Sequence, residues 1–177
     1  INVDTVQNFK SINPVGAVPV LIDQNSNQRK VYTEGAAILL HLLNKYKNTL
    51  LPNNEDARNH AIEQILFANA TMHPAYSRLF FIAQNISDET AKISAFEVAA
   101  NMISNLWGVV EKQLIEQADK EKYLGGDQVS AADIMLTVYS RWGGNFPVNI
   151  TIGKRTQQMI NSVLAMPSFM RALAAEG

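Results

Sequence analysis

The chain has 177 residues, 47% of them hydrophobic, which suits one or two domains with a real core. Its 15 basic and 16 acidic side chains leave a net charge of −1, so its electrostatics give no support to nucleic-acid binding. There is no cysteine, which excludes disulfides, thiolate metal sites and a cysteine nucleophile within these residues and fits a reducing, cytoplasmic setting.

No uninterrupted apolar run approaches the roughly 20 residues of a membrane helix, and no signal peptide opens the chain, so no membrane partner is expected. The first residue is Ile1 rather than Met, which points to a start that is processed, unresolved or truncated. Ala17 to Ile22 is a short apolar run rich in β-branched residues, bounded by Asn13-Pro14-Val15-Gly16 before it and by a polar stretch from Asp23 to Gln28 after it. This pattern predicts a strand and a turn, with Arg29 to Thr33 as the return strand. Two strands alone are marginal in water, so more sheet is expected upstream than these residues hold.

From Gly35 the signals are helical. Ile38, Leu39, Leu42, Leu43 and Tyr46 recur near a 3.6 period and predict a helix over Ala36 to Tyr46. Leu51-Pro52-Asn53-Asn54 reads as a loop within a linker at 49–55. A long helix is expected from Asp56 to Gln84, interrupted or bent near Pro74, which has no amide to donate. Ile93, Phe96, Ala100, Ile103, Trp107, Val110 and Leu114 alternate spacings of three and four, a seam that packs lengthwise on another helix. Further helices are expected near Ser130, near Lys154 and after Pro167.

Ser130 and Asp133 form a capping-box pattern: the serine hydroxyl can accept the amide three residues on, and the carboxylate can reach back to the serine amide. Val129 and Ile134 flank it as a hydrophobic staple. Asp133 is therefore assigned to folding rather than to acid catalysis. The three histidines are widely separated and show no metal-ligand spacing, so no metal is expected; His41 and His60 have no supporting motif and are read as surface or edge residues. Arg141 and Trp142 could line an apolar pocket, but the favoured reading is Trp142 as core and Arg141 beside it as a snorkelling or paired side chain.

The segments from Asn13 to Leu21 and from Tyr32 to Ile38 resemble the glutathione-binding stretch of glutathione transferases. The Thr33-Glu34-Gly35 version is similar to bacterial beta-type members. Gly126 to Asp133 resembles the folding motif of that family's helical domain, and Met166-Pro167 with Ala172 to Gly177 resembles its C-terminal ending. The resemblance implies an α+β fold: a partial thioredoxin-like, glutathione-binding domain at 1–48, made of a hairpin plus a helix, then an all-α domain at 56–177. It also implies that the family's first βα unit, which carries the residue that activates the thiol, is not in this sequence.

The resemblance implies that glutathione is the co-substrate. Val18, before a family cis proline at Pro19, would pair its backbone with the tripeptide like an added strand. The residues themselves leave both isomers of this bond open, since the trans preference before proline is only about 0.5–1 kcal/mol. Glu34 and Gly35 open a helix whose free amides can hold a carboxylate, with Glu34 available to an ammonium group; favouring the helix start electrostatically is the alternative for Glu34. The family often has serine where Gly35 stands. His73 resembles the histidine that beta-type members place near the thiol, where it could polarise it; Pro74 departs from the lysine that often follows. Tyr76 and Phe80, at helical spacing from His73, are read as bordering a pocket for a hydrophobic second substrate or as interdomain packing. The function so implied is conjugation of the glutathione thiolate to small hydrophobic electrophiles, a detoxification reaction, by a homodimer. The alternative is a non-catalytic member of the fold that acts as a protein-interaction or stress-response module.

Overall fold

The computed structural model describes residues 9–24, 29–117 and 122–176. The polar turn expected at 25–28 and the terminal Gly177 lie outside the described residues. The chain divides into two compact units, residues 1–48 and 49–177.

The first unit runs α1 (Phe9–Ile12), β1 (Leu21–Asp23), β2 (Lys30–Tyr32) and α2 (Gly35–Lys45). The strands are antiparallel, with Leu21 opposite Tyr32, Ile22 opposite Val31 and Asp23 opposite Lys30. The first strand is shorter than the apolar run that predicted it. Pro19 has no amide to give to a ladder, so pairing begins only beyond it. Asp23 is buried and ties the hairpin to α2. It accepts from Lys45 Nζ at 2.6 Å and lies 3.1 Å from His41 Nε2. The His41 ring also stacks on Tyr32 at 4.4 Å. The hydrogen bond to Asp23 raises Lys45 above its ordinary pKa. His41 is thus a partly buried joint between helix and sheet, a role that no local motif advertises.

The second unit is helical: α3 (Glu55–Phe67), a π turn (Ala68–Met72), α4 (His73–Asn85), α5 (Glu89–Glu116), α6 (Ala131–Ser140), a 3-10 turn (Arg141–Asn145), α7 (Lys154–Leu164) and α8 (Pro167–Glu176). Asn54 caps α3 by accepting from the Ala57 amide at 3.1 Å, and Asp88 caps α5 by accepting from Ala91 at 2.7 Å. The interruption expected near Pro74 is the π turn. Without a proline amide, a carbonyl in the preceding turn loses its usual partner. The chain widens there, and the His73 amide reaches back to Ala68.

Helix α5 is the spine, about 42 Å long at 1.5 Å per residue. It packs on α4 and α7, and α6 packs on α3 and α7. Phe96, Ala99, Ala100, Ile103, Trp107, Val110 and Leu114 are buried along its seam. Ile93, expected to join them, is 58% exposed. A strict alternation of three and four drifts about 20° per heptad around a straight helix, which turns the first member of the stripe out of the seam. By length and composition alone α5 could cross a membrane, but its apolar stripe is spent on the core of this unit.

Two polar devices fix the helix starts. At α6, Ser130 Oγ accepts from the Asp133 amide at 3.3 Å and Asp133 Oδ2 accepts from the Ser130 amide at 2.8 Å, closing the box. The other Asp133 oxygen accepts from the Leu124 amide at 2.9 Å, tying down the turn that Gly126 makes at φ +90°. Burial raises the Asp133 pKa, while hydrogen bonds from Ser130, Leu124 and Gly125 oppose the shift. Helix α7 has Gly153 at its cap position and so no capping side chain of its own. Glu111, from α5, takes that place: it accepts from the Arg155 amide at 3.0 Å and from the Thr156 amide and hydroxyl at 2.8 Å each. The absence of a Cβ at Gly153 permits the approach, since one built there would collide with the Glu111 side chain.

Burial pushes the Glu111 carboxyl up, but those hydrogen bonds and the Arg155 charge outweigh it and hold the group below its ordinary range. Its stabilisation is therefore present above the unfolded carboxyl value, about 4.3, and is lost as pH falls through the lower folded value. Urea denaturation should show Glu111→Gln destabilised at pH 7 by about 1–2 kcal/mol, with the gap to wild type closing at acid pH. Gly153→Ala should cost about 1–3 kcal/mol by overpacking. A pH-independent gap would refute the capping role.

Candidate functional site

The loop before β1 is built around Asn13, which is buried. Its Nδ2 donates to the Ala17 carbonyl at 2.7 Å, and its Oδ1 accepts from the Val15 amide at 3.2 Å. Its carbonyl accepts from the Gly16 amide at 2.9 Å, and Gly16 takes φ +75°, a conformation that suits glycine. This brace carries Val18 out to the surface. Val18 is 64% exposed, the Val18–Pro19 bond is cis, and the Val18 backbone has no hydrogen-bond partner among the described residues.

Glu34 is the cap residue of α2, in extended conformation, but its side chain does not cap the helix. The first bond to close is from the Ile38 amide to the Glu34 carbonyl at 2.9 Å. The amides of Gly35, Ala36 and Ala37 therefore stand at the positive end of the helix with no acceptor among the described residues, while the Glu34 carboxylate is exposed. This first-unit arrangement offers a backbone edge at Val18, free amides for an anion and a carboxylate for a cation.

The second unit holds His73, at the start of α4. Its ring meets Tyr139 edge-on at 5.4 Å and Trp142 at 5.4 Å, and has no hydrogen-bond partner among the described residues. Burial lowers its pKa. The imidazole is thus neutral near pH 7, with one nitrogen to donate and one to accept. Tyr76 is fully buried, and its hydroxyl accepts from Trp107 Nε1 at 2.9 Å. Burial pushes its phenol up to about 12, against the opposing hydrogen bond from Trp107. Tyr76 is thus a core residue whose polar end is committed. Phe80 reaches the surface and packs edge-on against Trp142 at 5.8 Å and Phe146 at 4.8 Å. Trp142, read from sequence as core, is half-buried and touches four rings, while Arg141 is exposed.

Tyr139 and Phe146 were not foreseen. A signal for them was available: 139, 142 and 146 repeat the three-then-four spacing of 73, 76 and 80, so that two aromatic ladders face each other. Ser130 and Asp133 are fully engaged in the α6 cap. Among the described residues, no group of three His, Asp or Glu is placed to hold a metal ion.

No protein-family model matches the chain. Among curated proteins it is similar to glutathione S-transferase GST-4.5 of Xanthomonas campestris, 28% identical over 172 residues, covering 96% of this chain and 80% of that protein. It is also 26% identical over 206 residues to the transcriptional regulator URE2 of Saccharomyces cerevisiae, covering 95% of this chain and 56% of that protein. Among solved structures, Ure2p in complex with glutathione superposes with a TM-score of 0.81 at 25% identity, over 93% of this chain and 79% of that one.

The Tyr76–Trp107 bond joins α4 to α5 in the buried core, one turn along α4 from His73. Tyr76→Phe should leave the indole N–H unpaired and cost about 1–3 kcal/mol in thermal or chemical denaturation. Unchanged stability would show that the bond contributes nothing.

Proposed function

Because the chain belongs to the glutathione transferase family, we propose that it binds glutathione on its first unit and conjugates the thiolate to small hydrophobic electrophiles. The observation that carries this reading is the combination of a Val18 backbone with no partner among the described residues and the open start of α2. An extended tripeptide needs both: a strand edge for its cysteinyl peptide groups, and amides plus a carboxylate for its γ-glutamyl end. In the reaction the sulfur forms a bond to an electrophilic carbon. With 1-chloro-2,4-dinitrobenzene the chloride leaves with its electron pair and the thiol proton passes to solvent. His73 is assigned to the thiol on its chemistry, as a neutral imidazole with both nitrogens uncommitted to any described residue.

Isothermal titration should detect glutathione binding, and Glu34→Gln should weaken it about tenfold to a hundredfold through the lost charge-assisted bond. Absence of binding up to millimolar glutathione would overturn the reading. His73→Ala should lower kcat with the dinitrobenzene substrate by about tenfold or more while leaving glutathione affinity nearly intact. A second reading, a regulatory or protein-interaction module, draws on the relative named as a transcriptional regulator. A structure of Ure2p also holds glutathione, so turnover rather than binding separates the two readings: binding without conjugation would favour the regulator.

The homodimer belongs to the same proposal. An open apolar groove runs between α4 and α5, lined by Phe81, Ile82, Ala95, Val98 and Met102, with Phe81 63% and Val98 62% exposed. Apolar side chains gathered in one such groove favour association. Light scattering should give a dimer mass, and Val98→Glu should shift it to monomer. A wild-type monomer at micromolar concentration would overturn the assignment.

A further inference from the structure

We propose that Tyr139 and Trp142 are positioning residues for His73: their rings wall the imidazole edge-on and set the direction in which its nitrogens face. This rests on the reading that His73 serves the glutathione thiol. A functional histidine usually owes its orientation and tautomer to a hydrogen bond on its second nitrogen. His73 has no such partner among the described residues, and its ring lies against two aromatic neighbours there. The interplanar angles are 67° to Tyr139 and 71° to Trp142, the edge-to-face range that aromatic quadrupoles favour.

The walls themselves are fixed. Tyr139 and Trp142 touch each other at 4.9 Å, so the three rings form a closed triangle. Trp142 is held from the α4 side by Phe80 at 5.8 Å and Tyr76 at 6.3 Å, both nearly perpendicular to it. Tyr76 in turn is locked by the indole of Trp107. A chain of packed rings therefore runs from the core seam of α5 to the imidazole. At the backbone, the His73 carbonyl accepts from Ser77 Oγ at 3.0 Å, which anchors the residue but leaves its ring free.

The electrostatics agree. Burial is the cause that lowers His73. The titratable groups whose rings reach this cluster are Tyr76 on its own helix and Tyr139 on α6, and burial raises both phenols, so they stay uncharged through the physiological range. Arg141, next to Trp142 in the chain, is exposed. The walls thus act by excluding water rather than by charge. Removing the larger one should admit water and return the imidazole toward its ordinary behaviour.

The test is an NMR titration of the His73 ring in the full chain, comparing wild type with Trp142→Leu, Trp142→Phe and Tyr139→Leu, each also assayed for dinitrobenzene conjugation. Trp142→Leu should move the His73 midpoint upward and collapse its distinctive ring shifts, while Trp142→Phe keeps most of both. Conjugation should fall about tenfold in kcat, with KM for glutathione unchanged and little further loss when His73→Ala is already present. If Trp142→Leu fails to fold, Tyr139→Leu carries the same expectation. A folded variant whose His73 midpoint and shifts match wild type would overturn the proposal. An equal loss of turnover with and without His73 would do the same. Should the chain prove not to conjugate at all, the functional reading falls while the NMR arm still decides whether the rings position the imidazole.

Discussion

The helical unit depends on one buried polar contact, the hydrogen bond from the Trp107 indole to the Tyr76 hydroxyl. Both residues are fully buried, so each polar group would be costly without the other. Their pairing lets two of the largest side chains in the unit occupy the α4–α5 contact. It also fixes the phase of α4 against α5. Once that phase is set, His73 one turn earlier and Phe80 one turn later lie along the same helix as a ladder, and the aromatic residues of 139–146 have a fixed surface to pack against.

What was legible in the sequence follows the same physics. The α5 seam could be read because burial along a long helix needs a repeating apolar stripe, and only Ile93, at its start, strayed. The α6 cap could be read because a serine and a carboxylate three residues apart have few other uses before an apolar run. Pro74 marked a break, but not that the break would be a π turn, because the sequence says that an amide is missing and not how the backbone redistributes its bonds. The Glu111 cap of α7 was invisible: its partners are more than forty positions away, and nothing local to Gly153 reports them.

The first unit shows the same division. The resemblance around Pro19 and Glu34 located a candidate ligand surface. It did not reveal Asn13, whose side chain and carbonyl hold the loop that presents Val18. An asparagine beside a proline reads as an ordinary turn until its acceptors are seen. Likewise, Asp23 lies some twenty residues before His41 and Lys45, and only the folded hairpin shows that the three form one joint.

The π turn at 68–72 has a consequence for how this sequence can vary. Such a turn holds one residue more than an α turn, which amounts to about 100° of rotation about the helix axis. The π turn therefore sets the azimuth of α4 relative to α3, and the extra residue is the gear between them. A single-codon deletion there would swing the whole of α4 to a different compass bearing, turning Tyr76 from the interior and carrying His73 away from its aromatic neighbours. In this stretch length matters more than side-chain identity: several residues could be exchanged at 69–71 before one could be removed.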